Sequence, residues 1–363
     1  MKKKCFLLIA GGTGGHVFPA IALAEYLKSQ DDSVILMTDN RGLAFINNTD
    51  RKLFDHIHTL STTHFRGSHL EKLKAFYLFM REAFMLKRHF QSSKPHAALG
   101  FGGFLSFWPI VWSWLLNIPA ALYQSDAIIG RANKILTRIT PLTFTAFQKT
   151  KGLTTPTQWV GFLNRASFQH SPYPERNPHT PLNILAIGGS QGAGFLSEIL
   201  PKAFKLLPAL MQEKITLVQQ CRSEKLDETR QNYSQTNIAF TLKTFIQDIH
   251  TEIEKAHLVI TRAGASTMGE LAQIGRPALF IPYPYATFNH QWENAIQATS
   301  LKGGWMKTEA HLTSSFLAHL LKDIFEHPKK LENCAHHIQK LTQPHPALLV
   351  RQHLCALIAQ KKG

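Results

Sequence analysis

An α/β fold built from two doubly wound, parallel-sheet domains is predicted by three features of this 363-residue chain. Short apolar runs bounded by glycine alternate with helical stretches, the pattern of βαβ units. A strand, glycine-rich turn and helix opening occurs twice, as FLLIAGGTGG at residues 6–15 and ILAIGGSQG at 184–192, so each half begins its own Rossmann-like unit. Between them, residues 167–181 are polar and carry Pro172, Pro174, Pro178 and Pro181, which suit neither a central strand nor a helix interior. The interdomain linker is expected there or just before it.

In chain order, the apolar runs predict strands at residues 5–10, 33–38, 96–100 and 119–123 in the first half, and at 183–187, 214–219, 257–261 and 278–282 in the second. Periodic apolar positions predict helices over 20–28 and 266–274, the latter stopped by Gly275 and Pro277, and a last helix over 346–360. Lys2, Lys3 and Lys4 before residues 5–10 mimic the start of a signal peptide, but the run ends after six residues at glycine, which favours a strand. Residues 104–119 are the most apolar stretch, yet they fall short of the roughly 20 residues of a spanning helix. Ser106, Pro109, Ser113 and Asn117 also interrupt them. A soluble, cytoplasmic chain is the expectation.

With 44% apolar and 18% charged residues, the chain is globular rather than disordered, collagenous or a coiled coil. Cys5, Cys221, Cys334 and Cys355 are scattered without metal-like spacing, which fits a reducing compartment and no structural zinc. The net charge of +16 calls for an anionic partner. Residues 1–163 hold nineteen basic and nine acidic side chains, so the excess is concentrated there. Within them, residues 70–90 read as a helix with Leu73, Phe76, Tyr77, Met80 and Phe84 along one stripe and Phe79 beside it. Lys72, Lys74, Arg81, Lys87 and Arg88 surround that stripe. This composition suits either a membrane-surface contact or a helix packed on the sheet with a solvated basic face. Phe107, Trp108, Trp112 and Trp114 could extend the apolar patch. Nucleic acid is disfavoured, because no RNP, KH, zinc-finger or recognition-helix pattern is present.

Three segments carry candidate chemistry. GGTGGH at 11–16 brings backbone N–H groups to the start of a helix, where an anion is favoured, and His16 could serve there as a general base. GGSQGAG at 188–194 adds the hydroxyl of Ser190 to a similar turn. Neither is a Walker A loop, and only Asp39 could act as the ribose-binding acid of a dehydrogenase after the first loop. TRAGASTMGE at 261–270 opens a helix with small residues and places Glu270 one turn in, where a carboxylate can accept hydrogen bonds from a ribose diol. Downstream, NHQWENA at 289–295 offers amides suited to sugar hydroxyls.

Together and in this order, GGTGGHVFPAIALA, GGSQGA, TRAGAST with its glutamate, and HQ followed by NA resemble the MurG family over nearly the whole chain. The resemblance implies a GT-B fold whose two domains face a cleft: 1–163 with 343–363 as an acceptor and membrane-facing domain, and 164–342 as a UDP-sugar donor domain. It implies inverting transfer of N-acetylglucosamine from UDP-N-acetylglucosamine to lipid I (undecaprenyl-pyrophosphoryl-N-acetylmuramyl-pentapeptide), forming lipid II. The setting would be peptidoglycan synthesis, cell wall biogenesis, cell shape and division. The enzyme would be peripheral on the cytoplasmic face of the bacterial inner membrane, reading its anionic leaflet and working beside other cell-wall synthesis proteins. No cofactor is implied, and no Asp-x-Asp is present to bring Mg²⁺ to a nucleotide diphosphate.

Carried onto this chain, the resemblance implies that Thr13, Gly14 and Gly15 lie beneath a phosphate and that His16 is a base. Arg165 and Ser190 would serve the donor, the backbone of Ile246 would read uracil, and Ala265, Ser266, Thr267, Met268 and Gly269 would frame the nucleotide. Glu270 would hold the ribose, and His290 and Gln291 would face the sugar. Phe104, Asp126 and Asn133 would bind the acceptor. Lys72, Phe76, Phe79, Arg81, Lys87, Arg88 and Trp112 would contact the membrane.

This chain departs from the family at the acceptor side. YQSD at 123–126 replaces the family's HEQN, so Gln124 stands where a carboxylate is expected and Asp126 supplies one two residues on; Phe104 replaces a tyrosine, and Phe162 and Leu163 replace Asn-Pro. His16, Asp126 and Gln124 are the catalytic candidates. The alternatives are an impaired scaffold that binds UDP-sugar and membrane, and a UDP-sugar 2-epimerase of the same architecture.

Overall fold

In the computed structural model, which describes residues 3–60, 81, 95–175 and 180–361, the apolar runs become the central strands of two parallel sheets. The first sheet contains β1 (Cys5–Ile9), β2 (Ser33–Thr38), β3 (His56–Thr59), β4 (Ala97–Gly100), β5 (Ala120–Gln124), β6 (Thr143–Thr145) and β7 (Thr157–Trp159), in the order β3-β2-β1-β4-β5-β6-β7. The second contains β8 (Leu182–Ile187), β9 (Ile215–Gln220), β10 (Ala239–Lys243), β11 (Leu258–Thr261), β12 (Ala278–Phe280) and β13 (Gly304–Met306), in the order β10-β9-β8-β11-β12-β13. Leu8 of β1 pairs with Leu36 on one side and Leu99 on the other, and Leu185 of β8 with Val218 and Val259. Strands buried on both faces read as continuous apolar runs, which is why these central ones were visible in the sequence. The strands that escaped it, β3, β6, β7, β10 and β13, are three to five residues long and lie at or next to a sheet edge, too short to stand out as apolar runs.

The helices that matter for the site are α1 (Gly14–Ser29), α2 (Phe107–Leu115), α3 (Arg131–Leu136), α4 (Gly189–Lys205), α5 (Ala265–Ile274), α6 (His290–Ser300), α7 (Ser314–Glu326) and α8 (Pro346–Gln360). Helix α1 begins six residues before its apolar periodicity does, because its first turn is glycine and histidine, and it contains Pro19. Helix α5 ends where Gly275 turns left-handed at φ +84°, as a glycine just past a helix end does. In the second sheet's core, Leu196, Leu200 and Phe204 of α4 meet Leu317 and Leu321 of α7 over Ile184 and Leu217.

The chain divides into two units: Met1–Ala166 with Gln343–Gly363, and Ser167–Thr342. In the first, α8 packs beside α1, and the buried Arg351 Nε donates to Asp32 Oδ2 at 2.6 Å across 319 residues of chain. The other carboxylate oxygen of Asp32 accepts from the Lys4 N–H, so one acid ties the last helix to the entry of β1. In the second unit the polar, proline-rich stretch is not a bare linker. Phe168 is buried, and the fully buried Arg276 donates to the carbonyls of Ser171 and Pro172 as well as Glu254, Ile274 and Gly275. Burial pulls the Arg276 guanidinium down to about 10. No helix among the described residues is long and apolar enough to cross a membrane.

Arg351→Ala should destabilise the protein by about 3–5 kcal/mol, because it strands a buried carboxylate. Urea unfolding at unchanged slope reads this directly, and a shift below 1 kcal/mol would show that the pair is not what holds α8.

Candidate active site

Each sheet has a point where the strand order reverses. The first grows from β1 to β3 and restarts at β4 on the other side of β1; the second grows from β8 to β10 and restarts at β11 beside β8. The loops on either side of such a point diverge and leave a crevice at the carboxyl ends of the strands, where open α/β sheets bind ligands. All the glycine motifs singled out above fall at these two places.

In the first unit, GGTGGH joins β1 to α1. Thr13 is the helix cap with extended backbone, so the N–H groups of Gly14 and Gly15 begin the helix and lack intrahelical partners by position. Gly12 takes φ +80°, and a Cβ on Gly11 would lie 2.8 Å from Asp39 Oδ1. That approach is needed because the buried Asp39 accepts from the N–H of Gly12 at 2.9 Å and of Gly42 at 2.8 Å through one oxygen, and faces Arg41 with the other. Asp39 is therefore spent on shaping the loop, which leaves the dehydrogenase alternative without its ribose acid. His16 sits in the first turn of α1, with Nδ1 3.2 Å from the Gly11 carbonyl. A carbonyl only accepts, so Nδ1 carries the hydrogen and the neutral ring has its lone pair on Nε2.

The loop after β4 runs through Gly102 and Gly103 to Phe104, which is 42% exposed. A Cβ on Gly102 would be 3.4 Å from both His16 Nε2 and Asn133 Nδ2, so the loops after β1, β4 and β5 converge here. At the end of β5, Tyr123 is fully buried. Its hydroxyl donates to the Gly161 carbonyl and accepts from the Leu163 N–H, and burial pushes the phenol well above its ordinary value. Gln124, also buried, donates to the carbonyls of Asp126 and Ile128 and accepts from Gly130 N and Asn133 Nδ2. The Asp126 side chain is half-buried in the following loop. Arg165 belongs to this unit too, with Nη2 3.0 Å from Asp50 and its guanidinium 5.3 Å from the Phe18 ring centre.

In the second unit, Ser190 lies in the first turn of α4, its side chain outside the described residues. Ile246 follows β10 and is buried, while Phe245 beside it is 75% exposed. Helix α5 starts at Ala265 straight after β11 and Gly264. Ala265, Met268 and Gly269 are buried, so only their backbone could meet a ligand, whereas Ser266, Thr267 and Glu270 are half-buried. Asn294, one of the amides of the 289–295 segment, is fully buried and donates to the Ala263 carbonyl, which pins the turn before α5. Gln291 accepts from the Tyr283 N–H at 2.9 Å, and His290 Nδ1 lies 2.8 Å from Thr287 O. The chain enters α6 through Phe288 and Asn289, both at positive φ. Arg262 underlies this turn, paired with Glu309 and stacked at 5.5 Å on Tyr283. Neither Arg262 nor Tyr283 was singled out from sequence, since nothing local marks a buried arginine as a support.

Of the membrane candidates, Lys72, Phe76, Phe79, Lys87 and Arg88 lie outside the described residues, and Arg81 is exposed. Trp112 is half-buried and packs against the first unit's core with Phe107 and Trp108, while Trp114, Leu115 and, on α3, Ile135 are each more than half exposed. The helical phase of α2 therefore turns Trp114 outward and Trp112 inward.

Two Rossmann-like units, each with a glycine turn at its switch point, form the GT-B architecture, and the family matches make this one a glycosyltransferase. The glycosyltransferase family 28 N-terminal domain matches residues 6–144, and the family's C-terminal domain matches 183–346. The UDP-N-acetylglucosamine–N-acetylmuramyl-(pentapeptide) pyrophosphoryl-undecaprenol N-acetylglucosamine transferase of Paramagnetospirillum magneticum is 34% identical over 100% of this chain and 99% of its own length. The crystal structure of Acinetobacter baumannii MurG superposes with a TM-score of 0.81 at 27% identity, covering 98% of this chain and 99% of that one. The chain belongs to this transferase family, the MurG family. A UDP-GlcNAc 2-epimerase from Neisseria meningitidis matches with a TM-score of 0.68 at 10% identity over 97% of this chain and 100% of its own, which is a likeness of fold alone.

Asp39→Asn keeps an acceptor for the Gly12 and Gly42 N–H groups, whereas Asp39→Ala removes it. The alanine variant should lose about 2–4 kcal/mol in urea unfolding and the asparagine variant clearly less. Equal losses would show that Arg41, not the glycine loop, is the partner that counts.

Proposed function

We propose that this enzyme transfers N-acetylglucosamine, with inversion, from UDP-N-acetylglucosamine to lipid I, forming lipid II at the cytoplasmic face of the inner membrane. The observation that carries this reading is the placement of His16, its ring held by Gly11, and of the 265–270 segment, each at the switch point of its own sheet. In this reading the second unit binds the donor. Ser190 and the first turn of α5 (Ala265, Ser266, Thr267, Met268, Gly269) meet the diphosphate and nucleotide, the backbone of Ile246 reads uracil, Glu270 holds the ribose, and Gln291 with His290 meets the sugar. Gln291 spends its oxygen on Tyr283, so its NH₂ is the end offered to a sugar oxygen. Arg165, Thr13, Gly14 and Gly15 serve the phosphates from the first unit, and Phe104, Asp126 and Asn133 serve the acceptor.

The chemistry asks little of the protein: a base to take the proton of the acceptor hydroxyl, and positive dipoles for the departing UDP. His16 Nε2, or the Asp126 carboxylate, takes that proton, and the helix starts of the second unit stabilise the leaving diphosphate. The exposed Trp114 and Leu115, with the basic surplus of the first 163 residues, suit a peripheral contact with an anionic leaflet.

UDP release with UDP-N-acetylglucosamine and a short-chain lipid I analogue, with and without EDTA, tests the reading. Release that needs the acceptor and ignores EDTA is expected. Donor binding without turnover would instead support the scaffold, and acceptor-free formation of a 2-epimer would support the epimerase. His16→Ala should lower kcat by about 10²–10⁴ with donor affinity retained; unchanged turnover removes it as the base. Glu270→Ala should weaken donor binding by about tenfold or more in calorimetry, and unchanged affinity would end its ribose role.

A further inference from the structure

We infer that Gln124 is a positioning residue for the acceptor site: it takes up the NH₂ of Asn133 and leaves Oδ1 as the atom that an incoming hydrogen-bond donor would complete. The inference rests on the reading of this site as the acceptor's, and it starts from four hydrogen bonds. Gln124 Nε2 donates to the Ile128 carbonyl at 3.0 Å and the Asp126 carbonyl at 3.3 Å. Its Oε1 accepts from Asn133 Nδ2 at 3.0 Å and the Gly130 N–H at 3.2 Å. The two carbonyls can only accept and the Gly130 N–H can only donate, so the partners dictate which end of the carboxamide is which. The loop from β5 to α3 is thus wound around one amide, and a backbone pair, Ile129 N–H to Lys151 O and Lys151 N–H to Ala127 O, braces its far side.

Asn133 inherits its orientation from this arrangement. Its NH₂ is drawn to Gln124 Oε1 and, at 3.4 Å, to the Tyr123 carbonyl. The opposite atom, Oδ1, is buried and has no hydrogen-bond partner among the described residues, although Asn133 is only 2% exposed. Both ends of the Asn133 amide lie beside Gly102: a Cβ there would be 3.4 Å from Nδ2, 3.7 Å from Oδ1 and 3.4 Å from His16 Nε2. An orphaned, buried acceptor is costly unless a ligand completes it. The group that completes it is a hydrogen-bond donor, a hydroxyl or amide N–H of the acceptor sugar. A ligand presenting only oxygen acceptors at that point would be rejected.

A carboxylate at 124 cannot do this work. It could still accept from Gly130 and Asn133, but its second oxygen would face two carbonyls with nothing to donate. The acid would need its proton to fit, so its pKa in the folded protein would rise above the unfolded value of about 4.3. For a group raised in this way the stability is present at low pH and is lost as pH rises through the folded pKa.

The test compares Gln124→Glu and Gln124→Met with the parent enzyme from pH 5.5 to 8.5, measuring thermal unfolding without substrates and then kcat and KM for the lipid I analogue. Gln124→Glu should approach parental stability at the acid end and fall behind as pH rises, with acceptor KM up by about tenfold at the alkaline end and donor affinity unchanged. Gln124→Met, which keeps the shape but none of the bonds, should raise acceptor KM at every pH. Parental stability and KM in Gln124→Glu across the range, or a parental KM in Gln124→Met, would overturn the inference. If the parent shows no turnover, the proposed function fails, while the pH dependence of Gln124→Glu unfolding still decides whether the amide clamps the loop.

Discussion

Every strand pair in both sheets is parallel, and that constraint decides where everything else can go. Parallel strands deliver all their carboxyl-terminal loops to one edge, so each unit collects its turns, helix starts and unsatisfied N–H groups on a single rim. Reversal of the strand order then opens that rim at one place per unit. Two such rims, each opened by a strand and a glycine turn, are what a two-substrate transferase needs.

A rim crowded with irregular backbone has to satisfy its polar groups without filling the crevice, and this chain does so with buried side chains placed just behind the loops. Asp39 serves the glycine turn after β1, Tyr123 the stretch at 161–163, Gln124 the loop after β5 and Asn294 the turn before α5. Each lies at or near the end of a strand or on a neighbouring helix, and each bonds mainly to backbone. The crevice side is thereby left to N–H groups and a few half-buried side chains, among them His16, Glu270 and Gln291, which are proposed to meet the substrates.

Much of this was legible in advance, for a physical reason. Central strands such as β1 and β8 are apolar on both faces, and glycine turns need glycine because a Cβ on Gly11 would collide with Asp39. Edge strands such as β3, with the sequence HIHT, carry no such signal. The supporting residues were the harder part. A sequence shows Asp39 after a strand but not whether a ribose or a backbone N–H claims it, and it shows NHQWENA but not that Asn294 turns inward while Gln291 stays half-exposed. Likewise Trp112 and Trp114 differ by two residues, which on a helix is more than half a turn, so only the phase of α2 separates core from surface. Contacts such as Arg351 with Asp32, 319 residues apart, are set by topology alone.

That last contact also orders events in time. Because α8 completes the first unit, the second is an insertion within it, and the chain must pass through all of Ser167–Thr342 before the first unit can close. At about 5–20 residues per second, Asp32 waits roughly 15–65 s on the ribosome for Arg351 to be made. During synthesis the second unit has its whole sequence available while the first still exposes the groove that α8 will cover. The first unit is thus the one whose immature surface a chaperone would meet, because it stays open until the last helix has been made.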